Sequence, residues 1–212
     1  MEFENFKNRI SKLKKMPLPG EEAHKKLAPI IRIEELKEID MSERSPNEAG
    51  VMAVFYPGED FQTRLVLILR KTYKGVHSNQ VGFPGGRVED EDRDLEDTAL
   101  RETEEEVGIL QKDIEVIKKL TRLYIPPSNF WVQPYLGILH DTPRMVAQES
   151  EVEAILEVKL SEFLDDENLI TESLTTSYAT NIEVPAYKLN GHVVWGATGM
   201  MLSEIRELLL KI

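Results

Sequence analysis

Glu102, Glu105 and Glu106 follow Arg101 in the run Arg-Glu-Thr-Glu-Glu-Glu-Val-Gly-Ile over residues 101–109. On a helix, positions i, i+3 and i+4 share one arc of the surface, so this spacing gathers three carboxylates while Glu104 points elsewhere. Like charges so placed repel one another, and a cation among them relieves the repulsion. Carboxylate oxygens are hard ligands suited to Mg²⁺ or Mn²⁺, and Mg²⁺ commonly sits between protein carboxylates and substrate phosphates. Arg101 stands four residues before Glu105, the spacing of an intrahelical ion pair that would hold that carboxylate in position.

Upstream, Gly85-Gly86 can adopt positive φ and let backbone amides approach a phosphate. The acidic run Asp90-Glu91-Asp92-Arg93-Asp94 opens like a calcium-binding EF-hand loop, but that loop needs Gly at its sixth position and Glu at its twelfth, where Leu95 and Arg101 stand. Asp92 has two readings, an outer ligand of the metal or a brace between loop and helix. His77, with Ser78, Asn79 and Gln80, lies in the loop ahead of the glycines, where a histidine is most often a solvated side chain.

The elements that position these residues can be read from apolar spacing. Phe3, Phe6, Ile10 and Leu13 make residues 2–15 an amphipathic helix that Pro17 and Pro19-Gly20 end. Gly50–Tyr56 and Arg64–Arg70 read as neighbouring buried strands joined through Gly58-Glu59-Asp60, and Tyr73–Gly86 as a loop delivering the chain to the acidic helix. Asp94 is the expected N-cap of that helix and Gly108 its terminator. Further strands are expected over Ile114–Tyr124, Trp131–Leu139, Val152–Val158 and Ile182–Lys188, a short helical turn at Leu160–Leu164, and a terminal helix over Thr198–Lys211. This order suits a sheet between helices, an α/β class.

The segment from Gly86 to Ile109 resembles the Nudix box, G-x5-E-x7-R-E-U-x-E-E-x-G-U with U apolar. Its second half matches from Arg101 to Ile109 with Thr103 at the first U. Asp92 stands at the first Glu, with one more residue than the pattern allows before Arg101. That departure, with Phe83-Pro84 ahead of the glycines, resembles the coenzyme A pyrophosphatase branch. The resemblance implies a Nudix α/β/α sandwich with a mixed sheet, one domain over residues 1–212 with a helical extension over about 1–25, and Mg²⁺ or Mn²⁺ as cofactor. It also implies Glu102, Glu105 and Glu106 as metal ligands, Glu102 as a group able to activate water, and Arg101 as their orienting partner.

Glu151 matches a family position that brings another acidic residue to the metal from a loop; the other reading makes Glu149, Glu151, Glu153 and Glu157 the exposed side of a strand. Arg70 matches the first Arg of the coenzyme A signature, while Lys71, Gly75 and Asn79 depart from it, and Arg70 and Lys74 are the candidate cations for a 3′-phosphate of the substrate. Trp195-Gly196-Ala197-Thr198 resembles the family's entry to its last helix, with Trp195 as packing. The implied activity is hydrolysis of coenzyme A or acyl-coenzyme A to adenosine 3′,5′-bisphosphate and 4′-phosphopantetheine or its acyl derivative. ADP-ribose or dinucleotide hydrolysis is the alternative activity, and a non-catalytic nucleotide-sensing domain the alternative class. A homodimer is the assembly the resemblance implies.

Charge and composition narrow the partners. With 26 Lys+Arg against 38 Asp+Glu, the net charge is −12, which disfavours a nucleic-acid surface and leaves a small nucleoside diphosphate derivative as the expected partner. Zero cysteines exclude disulfides, thiol catalysis and cysteine-bound metals. No apolar run is long enough to span a bilayer and no signal-peptide core opens the chain, so no membrane partner and a cytoplasmic location are expected.

Overall fold

Phe3, Phe6 and Ile10 recur at helical spacing and are buried together on one side of helix α1 (Phe3–Ile10), which runs on as a 3-10 turn over Ser11–Lys15 in the computed structural model of the chain. The structure describes residues 1–40, 42, 44–72, 79–174 and 182–212. Helices α2 (Glu21–Lys26) and α3 (Ile30–Glu38) follow. Then come strands β1 (Asn47–Pro57), β2 (Thr63–Arg70), β3 (Val81–Gly82) and β4 (Gly85–Arg87), and helix α4 (Leu95–Val107). Strands β5 (Glu115–Lys119), β6 (Leu123–Ile125), β7 (Phe130–Ile138) and β8 (Val152–Lys159) complete the main sheet, and α5 (Leu160–Leu164) is a single short helix. Strands β9 (Leu169–Leu174), β10 (Ile182–Leu189) and β11 (His192–Val194) precede the last helix, α6 (Gly196–Leu209).

Two layers of helix cover the main sheet because its strands are apolar on both faces. Along β1, Val51, Ala53 and Phe55 join one core with α1 and α6, while Met52, Val54 and Tyr56 join a second core with Ala99 and Val107 of α4. Strand β2 divides in the same way, Leu65 and Leu67 to the first core and Val66 and Ile68 to the second. The result is an α/β/α sandwich around a mixed sheet: β1 and β7 run parallel, and the other pairings of this sheet are antiparallel. A separate antiparallel sheet orders β9, β10 and β11.

The expected Tyr73–Gly86 loop is corrected at its end. Strands β1 and β2 pair only at Phe55–Pro57 and Thr63–Leu65, and residues 81–87 fill the space where they diverge, β3 on β2 and β4 on β1. Two- and three-residue strands carry no periodicity of their own, so the sequence reads as loop. The expected strand at Ile114–Tyr124 is likewise divided into β5 and β6, which share the outer edge of β7.

The segment before β1 is fixed by a buried polar cluster. Fully buried Glu204 of α6 accepts hydrogen bonds from the Gly20 and Thr121 amides at 3.1 and 3.0 Å and from the Thr121 hydroxyl at 2.5 Å, with His24 Nε2 at 3.4 Å. Gly20 has φ 72°, the left-handed region that favours glycine. A buried carboxylate is costly unless satisfied in this way.

Candidate functional site

Helix α4 starts and stops where its sequence dictates. The Asp94 carboxylate accepts from the amides of Glu96 and Asp97 at 2.8 and 3.0 Å, and Gly108 ends the helix with φ 74°, its amide on the Glu104 carbonyl at 2.9 Å. Thr98, Ala99, Thr103, Glu106 and Val107 are its buried residues. The helix rides close on β1 because Gly50 faces it: a Cβ there would lie 2.2 Å from the Leu95 carbonyl oxygen. This contact turns the carboxylate arc toward β4.

The arc runs from inside to outside. The side chain of Glu106 is 1% exposed, that of Glu102 13% and that of Glu105 50%. Glu106 Oε2 accepts the Gly85 amide at 2.8 Å, and Arg70 donates to the Gly85 carbonyl at 2.8 Å with its guanidinium 3.9 Å from Glu106 Oε1. Burial pushes the Glu106 carboxyl up to about 7, against the opposing effects of Arg70 and the Gly85 amide. Glu102 is also raised, first by burial.

The glycines meet the sequence expectation in part, Gly85 taking a positive φ and Gly86 not. Gly85 has φ 150°, and a Cβ there would strike the Gly50 carbonyl at 2.4 Å; a Cβ on Gly86 would lie 2.3 Å from Glu102 Oε1. Gly86 is absent from the positive-φ residues. The pair thus admits carboxylates against bare backbone, and the Gly85 amide is spent on Glu106 rather than free for a phosphate.

Arg101 organises the outer half of the arc. Its Nε and Nη2 reach both Asp92 oxygens at 2.9 and 3.0 Å, and its Nη1 reaches Glu102 at 3.0 Å and Glu105 at 3.1 Å. Asp92 also accepts from the Thr98 hydroxyl and the Glu89 amide, both at 2.9 Å. Hydrogen bonding to Arg101 foremost holds the Asp92 carboxyl down at about 2. Of its two sequence readings, Asp92 is the brace between loop and helix, because both its oxygens are engaged by protein donors.

Glu151 arrives from outside the helix. It sits just before β8, its carbonyl accepting from the Lys71 amide at 2.9 Å and its amide donating to Gln148 at 3.1 Å. Its charge adds to the rise of the Glu102 and Glu106 carboxyls, behind burial in both. The structure therefore brings together Glu102, Glu106 and Arg70 around Gly85 and Gly86, with Glu105 at the rim. Lys74 and His77 lie outside the described residues.

Sequence reasoning missed two contacts. Arg70, a candidate cation for a 3′-phosphate, faces the buried end of the arc. Thr198, at the start of α6, donates to the Val81 carbonyl at 3.0 Å and so joins the last helix to the segment before Gly85. The Trp-Gly-Ala-Thr run was the available signal, but it carries no partner information.

A family model of the NUDIX domain matches residues 46–175. The chain belongs to the Nudix family. Nudix hydrolase 15, mitochondrial, of Arabidopsis thaliana is 34% identical over 129 residues, 60% of this chain and 45% of that protein. The peroxisomal coenzyme A diphosphatase ndx-8 of Caenorhabditis elegans is 26% identical over 152 residues, 71% of this chain and 65% of that protein. A Nudix hydrolase NudL of Photorhabdus laumondii is 30% identical over 150 residues, 68% of this chain and 75% of that protein. The match spans less than two thirds of the Arabidopsis and nematode proteins. Among solved structures, a MutT/nudix family protein from Enterococcus faecalis superimposes with TM-score 0.52 at 20% identity, covering 93% of this chain and 74% of that one. The MutT protein of Methanosarcina mazei gives 0.51 at 14% identity, covering 80% and 99%. These likenesses show the Nudix fold.

Nudix hydrolases generally use divalent metal ions. The donors here fit one: Glu102, Glu105 and Glu106 are hard oxygen ligands on one arc of α4, and burial foremost raises the carboxyls of Glu102 and Glu106, with a neighbouring carboxylate adding to each. Among the described residues no three His, Asp or Glu side chains form a ready cage, so Glu102, Glu105 and Glu106 do not converge as an all-protein site. Such a set suits an ion held by one or two carboxylates and completed by substrate phosphates and water.

Proposed function

We propose that this Nudix domain is a divalent-metal-dependent pyrophosphohydrolase acting on coenzyme A or acyl-coenzyme A. The observation that carries the hydrolytic reading is the packing of Glu102 and Glu106 against the Gly85–Gly86 turn with Arg70 alongside. Glu102, Glu105 and Glu106 would hold Mg²⁺ or Mn²⁺, which supplies charge neutralisation for the diphosphate oxygens and lowers the pKa of bound water. Arg101 keeps Glu102 and Glu105 in place, and Glu151, the carboxylate off the box helix and open to solvent, takes the proton of the attacking water. The water oxygen bonds to one phosphorus as the bridging P–O bond breaks, and the bridging oxygen leaves on the other phosphate. No protein nucleophile is required.

Support for coenzyme A comes from the Phe83-Pro84-Gly85-Gly86 lead, the displaced Asp92, and similarity to a coenzyme A diphosphatase. The test is a panel of coenzyme A, dephospho-coenzyme A, ADP-ribose and dinucleoside polyphosphates with Mg²⁺ or Mn²⁺, products identified by mass. Adenosine 3′,5′-bisphosphate and 4′-phosphopantetheine are the expected products, and chelation should abolish them. Efficient cleavage of ADP-ribose alone leaves the hydrolase and removes the coenzyme A assignment; turnover of nothing in the panel removes both.

A further inference from the structure

A threonine on a helix often returns its hydroxyl to the carbonyl four residues back. Thr98 and Thr103 of α4 do so, onto Asp94 at 3.2 Å and Ala99 at 2.6 Å. Thr198, in the first turn of α6, does not. Its hydroxyl donates instead to the Val81 carbonyl at 3.0 Å, 117 residues away in sequence.

The receiving strand has little else to hold it. β3 is two residues long and joins the main sheet through β2 alone, Val81 opposite Leu69 and Gly82 opposite Ile68. The Arg70 amide donates to the Gln80 carbonyl at 3.0 Å. Hydrogen-bonded and non-bonded pairs alternate along an antiparallel ladder, so the next residue, Val81, turns its carbonyl away from β2. Thr198 meets it there. The helix that presents Thr198 is itself fixed, with Leu202, Ile205 and Leu208 in the core and Glu204 held by the Gly20 and Thr121 amides.

From β3 the contact reaches the carboxylates within a few residues. Thr198 Oγ1 and Arg70 Nε both border Gly82, 3.9 and 3.7 Å from the position its Cβ would take. Arg70 then closes residues 80–85 at both ends, its amide on Gln80 and its guanidinium on the Gly85 carbonyl at 2.8 Å. Between them Phe83 is buried and the Pro84 carbonyl accepts the Met52 amide at 2.9 Å. The Gly85 amide is the group that holds Glu106, at 2.8 Å.

We propose that Thr198 is a positioning residue of the hydrolytic site, its hydroxyl pinning β3 to α6 and so setting the Gly85 amide and Arg70 against Glu106. This rests on the diphosphate-hydrolase reading and deepens it, because it makes the last helix, outside residues 46–175, a support of the carboxylate arc.

The test reads geometry apart from turnover. Hydrogen exchange of single amides is followed by NMR in wild type, Thr198→Val and Thr198→Ser, with circular dichroism to establish folding. In Thr198→Val the Gly85 amide should exchange about ten-fold faster, the scale of one lost hydrogen bond. The Leu139 amide, bonded to the Phe55 carbonyl farther along β1, should keep its rate. Thr198→Ser retains the donor and should restore the wild-type rate at Gly85. An unchanged Gly85 rate in Thr198→Val, an equal acceleration at Leu139, or no restoration by serine overturns the positioning role. If Thr198→Val does not fold, Thr198→Ala takes its place in the same comparison. Turnover of the cleaved diphosphate is measured in parallel, and kcat should fall about ten-fold in Thr198→Val and recover in Thr198→Ser, as expected of a small misplacement. Cleavage at the wild-type rate in Thr198→Val removes the positioning role and keeps the hydrolase. Exchange as expected in a protein that cleaves no diphosphate removes the hydrolase and keeps the anchoring of Gly85 by Thr198.

Discussion

Glu106 and Glu104 are two residues apart and have opposite fates, which makes them the sharpest residue-level comparison. Glu106 is buried against the Gly85 amide, whereas Glu104 accepts the Gln111 amide at 3.0 Å and only finishes the turn after the helix. Glu106→Gln and Glu105→Gln are expected to lower kcat by more than about 100-fold, since each removes a charged ligand where even supporting groups are worth 10–100-fold. Glu104→Gln keeps its acceptor and should stay within about two-fold of wild type. Equal activity in all three variants, each folded by circular dichroism, would sink the assignment of a metal-facing arc. Glu151→Gln should lower kcat with little change in the metal concentration needed for half-activity, because it is assigned to proton transfer rather than to holding the ion.

At the scale of the element, α4 is held by its two ends and by the Asp92–Arg101 fork. Arg101 offers a planar fork that takes both Asp92 oxygens and still reaches Glu102 and Glu105, a geometry a lysine ammonium cannot reproduce. Arg101→Lys should therefore reduce kcat by about 10–100-fold while remaining folded. The fork also makes a stability signature. The Asp92 carboxyl is held at about 2 in the fold, below its ordinary value of 3.8, so its ionised form is stabilised by folding. That contribution is complete well above pH 4 and drains away as pH falls toward 2, on the order of 2 kcal/mol. Urea denaturation of wild type and Asp92→Asn across pH 2–6 should show the gap between them closing at the acid end. A constant gap would mean that the brace is steric rather than charged. Gly86→Ala belongs here too, because its methyl would invade the space of the Glu102 carboxylate. It should fold and lose turnover.

Taken whole, the molecule depends on segments outside residues 46–175, the stretch the family model matches. Phe6 of α1 packs on Phe55 of β1 with ring centroids 5.1 Å apart, and α6 supplies Leu202, Ile205 and Leu208 to the same core. Phe6→Ala is expected to cost about 3–5 kcal/mol of stability by urea denaturation, as a buried aromatic truncation does. A loss below about 1 kcal/mol would show that α1 is an appendage rather than a wall of the sandwich.

How much of this was legible in the sequence follows from the range over which each feature is decided. The α4 helix, its Asp94 cap, its Gly108 stop and the angular order of Glu102, Glu105 and Glu106 are local, fixed by backbone hydrogen bonds and a 3.6-residue period. The two-faced burial of β1 and β2 was legible for the same reason, since continuous apolar runs need cover on both sides. What the sequence could not supply were pairings between distant segments. The wedging of residues 81–87 between β1 and β2, the capture of Glu106 by the Gly85 amide, the turn of Arg70 toward that pair, and the hydrogen bond of Thr198 to Val81 all depend on which surfaces pack together. Only packing also decides that one glutamate of the arc is dry and another wet, because burial belongs to the neighbours of a residue and not to the residue itself.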